Sequence, residues 1–290
     1  MKKVIVIGSA NIDLSFSVEK LPNIGETVLG SDLMKFVGGK GLNQAVACSK
    51  VSSEIIFLGC LGNKLNKDYI LNELNNAKID FSYLKQSKSE TGLALISRIN
   101  NDNSIIVIPG ANNEIDIEYI KNNLHLFKNC IVLIQNEIRQ EINEFIIDYC
   151  FLNEIPIIYN PAPARKIDLE LINKITYFTP NENEANFIFG SDNYEQIAKQ
   201  YPNKVIVTLG ENGIVYYDSK IHLIKPKPIN VIDTTGAGDT FNGILCGYLA
   251  NEFPLEQALR AAVVGATLSV SKIGAQTGMP SQKEIELEMD

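Results

Sequence analysis

The chain has 290 residues, of which 45% are hydrophobic and 21% charged, as expected of a globular protein with a substantial core. Its 26 basic and 34 acidic residues give a net charge of −8, and no long basic run occurs, which argues against nucleic acid as a main partner. No uncharged apolar stretch is long enough to span a membrane, so we expect no membrane partner either.

The residues that usually build disulfides, zinc sites and hydrolytic triads are scarce. The five cysteines are scattered, odd in number and without a C-x-x-C pair, which argues against a disulfide framework or a thiolate zinc site. Reduced cysteines fit a cytoplasmic protein. The chain has only two histidines, His125 and His222, which argues against a histidine-based zinc centre and against a Ser-His-Asp triad.

Runs of apolar, largely β-branched residues alternate with segments of helical spacing. Buried strands are predicted at residues 4–8, 55–58, 131–134, 155–159, 177–179 and 205–209. Helices are predicted at residues 42–50, 67–77 and 138–151. Alternation of apolar strands with helices predicts an α/β fold with a mostly parallel sheet covered on both faces. Ligands of such sheets bind beyond the carboxyl ends of the strands.

Two segments break this alternation. Residues 14–36 and 91–109 are half polar and strand-like, and the second reads as a hairpin of residues 93–99 and 104–108. They predict a small second sheet over the site of the main sheet. Extra edge strands of the main sheet are the alternative.

Two polar side chains follow the first predicted strand. Asn11 and Asp13 are placed to hydrogen-bond adjacent hydroxyl groups of a ligand, and an Asx-turn is the alternative. A glycine-rich segment at residues 38–43 then opens a helix. It lacks the P-loop spacing, but its glycines allow close approach of a ligand to the backbone, and Lys40 and Asn43 can bond hydroxyls or phosphate. A tight turn with a solvated lysine is the alternative.

Two later segments also follow predicted strands. Asn181 to Glu184 offer oxygen ligands for Mg²⁺, usually through water, and the alternative is a helix N-cap with acidic residues in its first turn. Residues 208–213 either wrap a nucleotide or form a hairpin turn.

The strongest local signal is the segment of residues 233–243, and a helix is predicted to begin within it and to span residues 240–250. Three small residues before a helix start leave unpaired N–H groups pointing at one spot, and the helix dipole adds positive potential. Such an anion hole suits a phosphoryl group during transfer. Asp239 at its rim is either an N-cap or a base that accepts a hydroxyl proton.

Together, these segments resemble the ribokinase-like carbohydrate kinase (PfkB) family over nearly the whole chain. The two family signatures are residues 38–43 and 233–243, and resemblance to the ribose-specific members comes from residues 39–45, 109–112 and 160–164. The resemblance implies a doubly wound α/β domain spanning residues 1–290. It also implies a small discontinuous β-sheet lid, formed by about residues 12–36 and 91–109, that often pairs with its twin in a homodimer.

The resemblance also implies roles for residues at matching positions. Sugar hydroxyls are held by Asn11, Asp13, Gly39, Lys40, Asn43 and Glu137. The catalytic base is Asp239, and the anion hole is formed by Gly236, Ala237 and Gly238. Nucleotide and phosphate contacts come from Asn181, Thr208, Gly210 and Gly213, and Mg²⁺ is associated with Glu184. A K⁺ site is built from Asp233, Thr235, Ser269, Lys272 and Gly274.

The implied activity is ATP-dependent phosphorylation of D-ribose at its 5-hydroxyl, with Mg²⁺ required and K⁺ activating. Alternatives are a family kinase acting on fructose, deoxyribose or a nucleoside, a non-catalytic sugar-binding regulator, and a dinucleotide-dependent oxidoreductase that lacks its glycine fingerprint. Two positions depart from the family pattern: Val263 replaces a residue that is often polar near the adenine, and Gly278 replaces a serine that often closes the cation site.

Overall fold

The computed structural model describes residues 1–62, 66–99 and 102–289, with only the backbone of Asp102 and Asn103. Its strands are β1 Lys3–Ile7, β2 Asn11–Val18, β3 Gly30–Gly38, β4 Ile55–Leu58, β5 Cys60–Gly62, β6 Lys85–Ser87, β7 Gly92–Ile99, β8 Asp102–Ile108, β9 Cys130–Gln135, β10 Ile157–Asn160, β11 Tyr177–Phe178, β12 Ile206–Thr208, β13 Ile214–Tyr217 and β14 Ile221–Ile224. Its α-helices are α1 Lys40–Ser49, α2 Lys67–Asn76, α3 Ile117–Asn123, α4 Gln140–Leu152, α5 Glu182–Phe189, α6 Tyr194–Gln200, α7 Ala237–Ala250, α8 Leu255–Ser269 and α9 Gln282–Met289. Within these ranges, no helix combines the length and the apolar character that a membrane crossing needs.

The central sheet has five strands in the order β11-β10-β9-β1-β4, and all its neighbours pair in parallel. Parallel bridges from Phe178 to Val205 and from Asn181 to Thr208 continue it into the antiparallel strands β12, β13 and β14. The prediction of a mostly parallel sheet flanked by helices is confirmed.

Hydrophobic side chains cover the central sheet on both faces. Val4 and Val6 of β1 belong to a core cluster that includes residues of α1, α7 and α8, whereas Ile5 and Ile7 belong to a second cluster that includes residues of α4. Successive side chains of a strand point to opposite faces, so a strand that is buried on both faces does not alternate polar with apolar residues. This explains the continuous apolar run of β1.

Four strands form a separate small sheet in the order β3-β2-β7-β8. β2 pairs with β3 antiparallel and with β7 in parallel, and β7 pairs antiparallel with β8. The alternative of extra edge strands of the central sheet is therefore wrong. The predicted turn between β7 and β8 includes residues 100 and 101, which lie outside the described residues.

Helix α7 begins at Ala237, three residues before the predicted start at residue 240. Gly236 is its N-cap, with φ of 79° in the left-handed region that glycine adopts without strain. Asp239 therefore lies inside the first turn, and the N-cap interpretation of this residue is wrong. The Asp239 side chain is therefore available for contacts outside its own helix.

Helices α1 and α7 pack closely, and Gly243 lies where they meet. A Cβ atom at this position would lie 2.5 Å from both the Ala47 Cβ and the Gln44 carbonyl oxygen. The two helices begin with the segments predicted to form the site, so their spacing determines its geometry.

We predict that Gly243→Ala lowers the free energy of unfolding by about 1–3 kcal/mol, because the added methyl overpacks the helix contact. Urea unfolding measures the change. Gly238→Ala is the control for stability, because a Cβ there meets no atom within 4 Å. Equal stability of the Gly243 variant and the unsubstituted protein would contradict this account of the contact.

Candidate active site

The carboxylate of Glu137, just after β9, ties together three segments on one side of the site. Its Oε2 accepts hydrogen bonds from Ser9 Oγ (2.5 Å), the Lys40 backbone N–H (3.0 Å) and Asn11 Nδ2 (3.4 Å). Asn112 Nδ2 in turn donates to Asn11 Oδ1 at 2.7 Å. The loop after β1, the start of α1 and the loop after β9 thus meet around one carboxylate.

Asp13 points a buried oxygen into this cluster. Its Oδ1 has no hydrogen-bond partner within the described part of the chain. Burial, with contributions from Glu137 and Asp239, raises the pKa of Asp13 to about 7, although Lys40 opposes the shift. An unpaired buried acceptor is costly, so this oxygen is suited to a donor supplied by a ligand. Both Asn11 and Asp13 lie in β2, and the Asx-turn alternative is wrong.

Lys40 is the first residue of α1 and is partly buried among carboxylates. Burial opposes its charge, but Asp239, Glu137, Glu184 and Asp13 outweigh this effect and raise the pKa of Lys40. The lysine therefore remains charged at neutral pH, and because it begins a helix, its interpretation as a turn residue is wrong. Gly39 before it has φ of 90°, a conformation that favours glycine.

Asp239 is buried at the start of α7, where both carboxylate oxygens are held by α1. Asn43 Nδ2 donates to Oδ2 and Gln44 Nε2 donates to Oδ1, each at 3.0 Å. Burial raises the pKa of Asp239, while Lys40 and the two amide donors oppose this shift. The result is an oriented carboxylate with raised basicity, which suits a proton acceptor.

The first turn of α7 offers free backbone donors next to this carboxylate. The Ala237 N–H donates to the Thr234 carbonyl oxygen at 3.2 Å. For the N–H groups of Gly238 and Asp239, the described residues provide no acceptor. Together with the helix dipole, these donors form a site for negative charge.

A cavity of about 920 Å³ opens in front of this turn. The predicted nucleotide residues Asn181, Thr208, Gly210 and Gly213 line it together with the anion-hole residues Ala237 and Gly238. An apolar part of its wall is formed by Ile214, Ile229, Val231, Phe241, Val263 and Ala266. The segment of residues 208–213 connects the antiparallel strands β12 and β13, so it is a hairpin turn. The same segment lines the cavity, and its contact with a nucleotide stays a prediction. Val263 makes part of the wall apolar.

Asn181 and Glu184 form a capping box at the start of α5, as the alternative interpretation expected. Glu184 accepts from the Asn181 backbone N–H (2.9 Å) and from its Nδ2 (3.0 Å), and burial raises the pKa of Glu184. The described residues contain no group of three or more His, Cys, Asp or Glu that could hold a metal ion. Asn181 and Glu184 therefore fit a Mg²⁺ ion that is coordinated mainly by phosphate and water, with Glu184 contacting it through that water.

Four of the predicted cation-site residues lie on two neighbouring loops, and Ser269 is the last residue of α8, just before the second loop. The Asp233 carboxylate accepts from the Thr235 N–H (2.9 Å) and the Gly274 N–H (2.8 Å), and the Asp233 N–H donates to the Val270 carbonyl oxygen. A Cβ at Gly278 would lie 2.0 Å from the Ser269 carbonyl oxygen, so that carbonyl leaves no room for a serine here. Carboxylate and carbonyl oxygens are ligands suited to a hard cation.

Several buried polar residues at the centre of the site have no role predicted from the sequence. Ser9 accepts from the Gly41 N–H and donates to Glu137. Gln44, Gln135 and Asn160 form a hydrogen-bonded group behind Asp239. Gln44 and Asn160 lie inside the motifs at residues 39–45 and 160–164, which was the available signal, whereas Ser9 and Gln135 lie outside the quoted motifs.

Comparison with known proteins agrees with this geometry. The model of the pfkB family carbohydrate kinases matches residues 1–282. The chain belongs to this family. It is therefore a kinase that transfers phosphate to a sugar hydroxyl, and the oxidoreductase alternative is wrong.

This member of the pfkB family is similar to several ribokinases over its full length. It is 42% identical to a ribokinase of Lactococcus lactis, covering 100% of this chain and 97% of that protein. Its structure matches a ribokinase of Thermotoga maritima with a TM-score of 0.90 and 31% identity, covering 100% and 99% of the chains. It also matches an Arabidopsis thaliana ribokinase complexed with ribose and ATP, with a TM-score of 0.89, 29% identity and coverage of 100% and 99%.

We predict that the unliganded enzyme becomes less stable as the pH rises from 5 to 7, in part because of Asp13. The folded state holds the Asp13 proton up to a pKa of about 7, whereas the unfolded state releases it near 3.8. Stability is thus present at low pH and is lost by about 1.4 kcal/mol per pH unit as pH rises towards the folded pKa. Urea unfolding of Asp13→Asn should show a shallower loss, and an unchanged slope would contradict the assigned pKa.

Proposed function

We propose that the chain phosphorylates D-ribose at the 5-hydroxyl with ATP and releases D-ribose 5-phosphate and ADP. One observation carries the proposal: the Asp239 carboxylate interacts with Lys40 and Glu137 of the polar cluster and lies in the helix turn whose Ala237 and Gly238 line the large cavity. A sugar bound at the polar cluster and a nucleotide bound in the cavity would meet at this carboxylate. The resemblance to ribokinases over the whole chain supports ribose as the sugar.

On the sugar side, the side chains offer complementary hydrogen-bonding groups. Asp13 provides the unpaired acceptor Oδ1. Lys40 provides a cation, and Glu137 is oriented by the three donors on its Oε2. Hydroxyl groups both donate and accept, so this cluster can hold adjacent hydroxyls of a ribose ring and direct its 5-hydroxyl towards Asp239.

In the transfer step, the ribose O5 attacks the γ-phosphorus of ATP, the O5–P bond forms, and the bond between the γ-phosphorus and the β,γ-bridging oxygen breaks. Asp239 accepts the O5 proton, and ADP leaves with the electron pair of the broken bond. A sugar hydroxyl has a pKa roughly ten units above that of an ordinary carboxylate, so full deprotonation before attack would cost more than about 13 kcal/mol. The proton therefore moves late, and the raised pKa of Asp239 makes it a better acceptor.

The first turn of α7 stabilises the charge of the transferred group. The N–H groups of Gly238 and Asp239 have no acceptor among the described residues, and Gly238 lines the cavity where the γ-phosphate would lie. Such preorganised donors act most strongly where water is excluded. Gly236 permits the turn, and Ala237 and Gly238 keep side chains out of the phosphate position.

Two cations complete the proposed site. Mg²⁺ enters with ATP and neutralises phosphate charge, and Glu184 and Asn181 would hold its water shell. K⁺ would lie at the loop pair of Asp233 and Gly274, with the backbone of Thr235, Ser269 and Lys272 as further ligands. Bound there, it would add positive potential beside the anion hole.

The small sheet serves as a lid in this proposal. It carries Asn11 and Asp13 on β2, so a sheet that closes over the sugar would bring these contacts with it and exclude water. Fructose, deoxyribose and nucleosides remain the competing substrates, because a few contacts worth about 1–3 kcal/mol each decide between them. A non-catalytic regulator would not need the buried carboxylate beside free N–H donors.

We predict that Asp239→Asn lowers kcat for ribose by at least about 100-fold, because general-base catalysis contributes about 10²–10⁴-fold. The amide has nearly the same shape but cannot take the proton, so ribose affinity should stay nearly intact. ADP release with ATP, Mg²⁺ and K⁺ measures the rate over ribose, deoxyribose, fructose and nucleosides, and calorimetry measures ribose affinity.

Asp148→Asn is the matched control, because Asp148 pairs with Lys174 on the surface of α4. Near-normal turnover of the Asp239 variant would refute the base assignment. Turnover by the unsubstituted protein on another sugar alone would retain the mechanism but refute ribose. No turnover on any sugar would favour the regulator.

We further propose a homodimer formed through the lid. β8 is an edge strand of the small sheet, and consecutive side chains on both of its faces are exposed: Ile105 (49%), Ile106 (63%), Val107 (39%) and Ile108 (48%). An exposed apolar edge strand is a template for pairing, and monomers usually protect it. A second copy of the same sheet would cover this strand.

We predict that Ile106→Lys converts a dimer into a monomer, because a charge is placed within the covered apolar strand. Sedimentation velocity over a range of concentrations measures the mass. Leu152→Lys is the control, since Leu152 is also apolar and exposed but lies at the end of α4. A monomeric unsubstituted protein, or a dimeric Ile106 variant, would contradict the proposed interface.

We also propose that the enzyme works in the cytoplasm. All five cysteines are free and buried, and burial raises the pKa of Cys60 and Cys130 to about 11. Buried thiols of this kind suit a reducing compartment.

A further inference from the structure

Gln44 makes a hydrogen bond with each polar group of its side chain, and all of these bonds are buried. Its Nε2 donates to Asp239 Oδ1 (3.0 Å) and to Asn160 Oδ1 (3.1 Å). Its Oε1 accepts from Gln135 Nε2 at 2.7 Å. Gln44 and Gln135 are both fully buried, so water does not compete for these bonds.

The neighbours of Gln44 allow one orientation of its amide. Asn160 Nδ2 donates to the Thr179 carbonyl oxygen, which keeps Asn160 Oδ1 facing Gln44. Gln135 Nε2 faces the other side of the Gln44 amide. If the Gln44 amide were reversed, its oxygen would face both Asp239 Oδ1 and Asn160 Oδ1, which are acceptors. The ends of β9 and β10, where Gln135 and Asn160 lie, thereby orient a donor towards Asp239.

We propose that Gln44 is a positioning residue for the transfer step: supported by Gln135, it holds the Asp239 carboxylate in the orientation that accepts the hydroxyl proton. The inference rests on the proposed function, in which Asp239 is the base. Asn43 holds the other oxygen, but it is itself a predicted sugar contact and also accepts from Gln276 Nε2. Gln44 is fully buried, so in this proposal it acts through Asp239.

The charged groups around Asp239 make this donor important. Lys40 of α1 favours the ionised carboxylate, whereas Glu137 after β9 opposes it. Asp13 of β2 and Glu184 of α5 also interact with Asp239 as like charges. One cation thus faces three carboxylates, and neutral donors supply the remaining stabilisation of the negative charge.

The test compares Gln44→Met with Gln44→Glu. The first removes the donor at similar volume, and the second places another carboxyl group against Asp239. We expect kcat to fall about 10- to 100-fold in the methionine variant, the effect of losing a hydrogen bond to a charged group. We expect the KM for ribose to stay within about threefold, since the lost contact acts on the transition state.

The pH dependence of kcat is the readout that a merely structural role would not move. The acidic limb should shift upwards by about one pH unit or more in Gln44→Met, because the carboxylate loses a stabilising donor. It should shift further in Gln44→Glu, because two adjacent carboxyl groups share a proton. Gln140→Met on the surface of α4 is the matched control and should leave the profile unchanged.

An acidic limb that stays in place in both Gln44 variants would overturn the inference, whatever happens to kcat. If neither variant folds, Gln135→Leu tests the same network one residue further away, and the same criterion applies to its smaller expected shift. Asp239→Asn separates the two proposals. If it turns over normally, the base assignment fails, whereas an inactive Asp239 variant with unmoved Gln44 profiles refutes the role of Gln44 alone.

Discussion

The buried carboxylate of Asp239 is the constraint on which the site depends. A negative charge removed from water must be stabilised by nearby groups, and here α1 supplies them: the Lys40 cation and the amides of Asn43 and Gln44. Because these groups lie on one helix and Asp239 on another, the contact between α1 and α7 determines the chemistry. The close approach of α1 and α7 at Gly243 therefore serves the stabilisation of this charge as well as the packing of the hydrophobic core.

The same arrangement separates the two proposed substrates. Asp13 and Glu137 of the polar cluster interact with the carboxylate, and Ala237 and Gly238 of the first turn of α7 line the large cavity. β2 carries sugar-side residues while belonging to the small sheet, so any movement of that sheet changes the site. In the proposed mechanism, sugar binding and lid closure would therefore both depend on β2.

Much of the fold was predictable because it rests on local patterns. The strand at residues 55–58 was predicted to the residue, since a fully buried parallel strand is a continuous apolar run. The start of α7 was missed by three residues, because a left-handed Gly236 looks the same in sequence as a loop glycine. The network of Gln44, Gln135 and Asn160 was not predictable, because its members come together only when β9, β10 and α1 pack. Motifs predicted residues that contact ligands, but the hydrogen bonds that hold those residues in place depend on how distant segments pack.

A crystal structure with ribose and a non-hydrolysable ATP analogue would test the central claim most directly. The account predicts the ribose O5 within about 2.6–3.2 Å of an Asp239 carboxylate oxygen, the range for proton transfer. It also predicts the terminal phosphate against the N–H groups of Gly238 and Asp239. A ribose whose O5 points away from Asp239, or a terminal phosphate bound elsewhere, would contradict it.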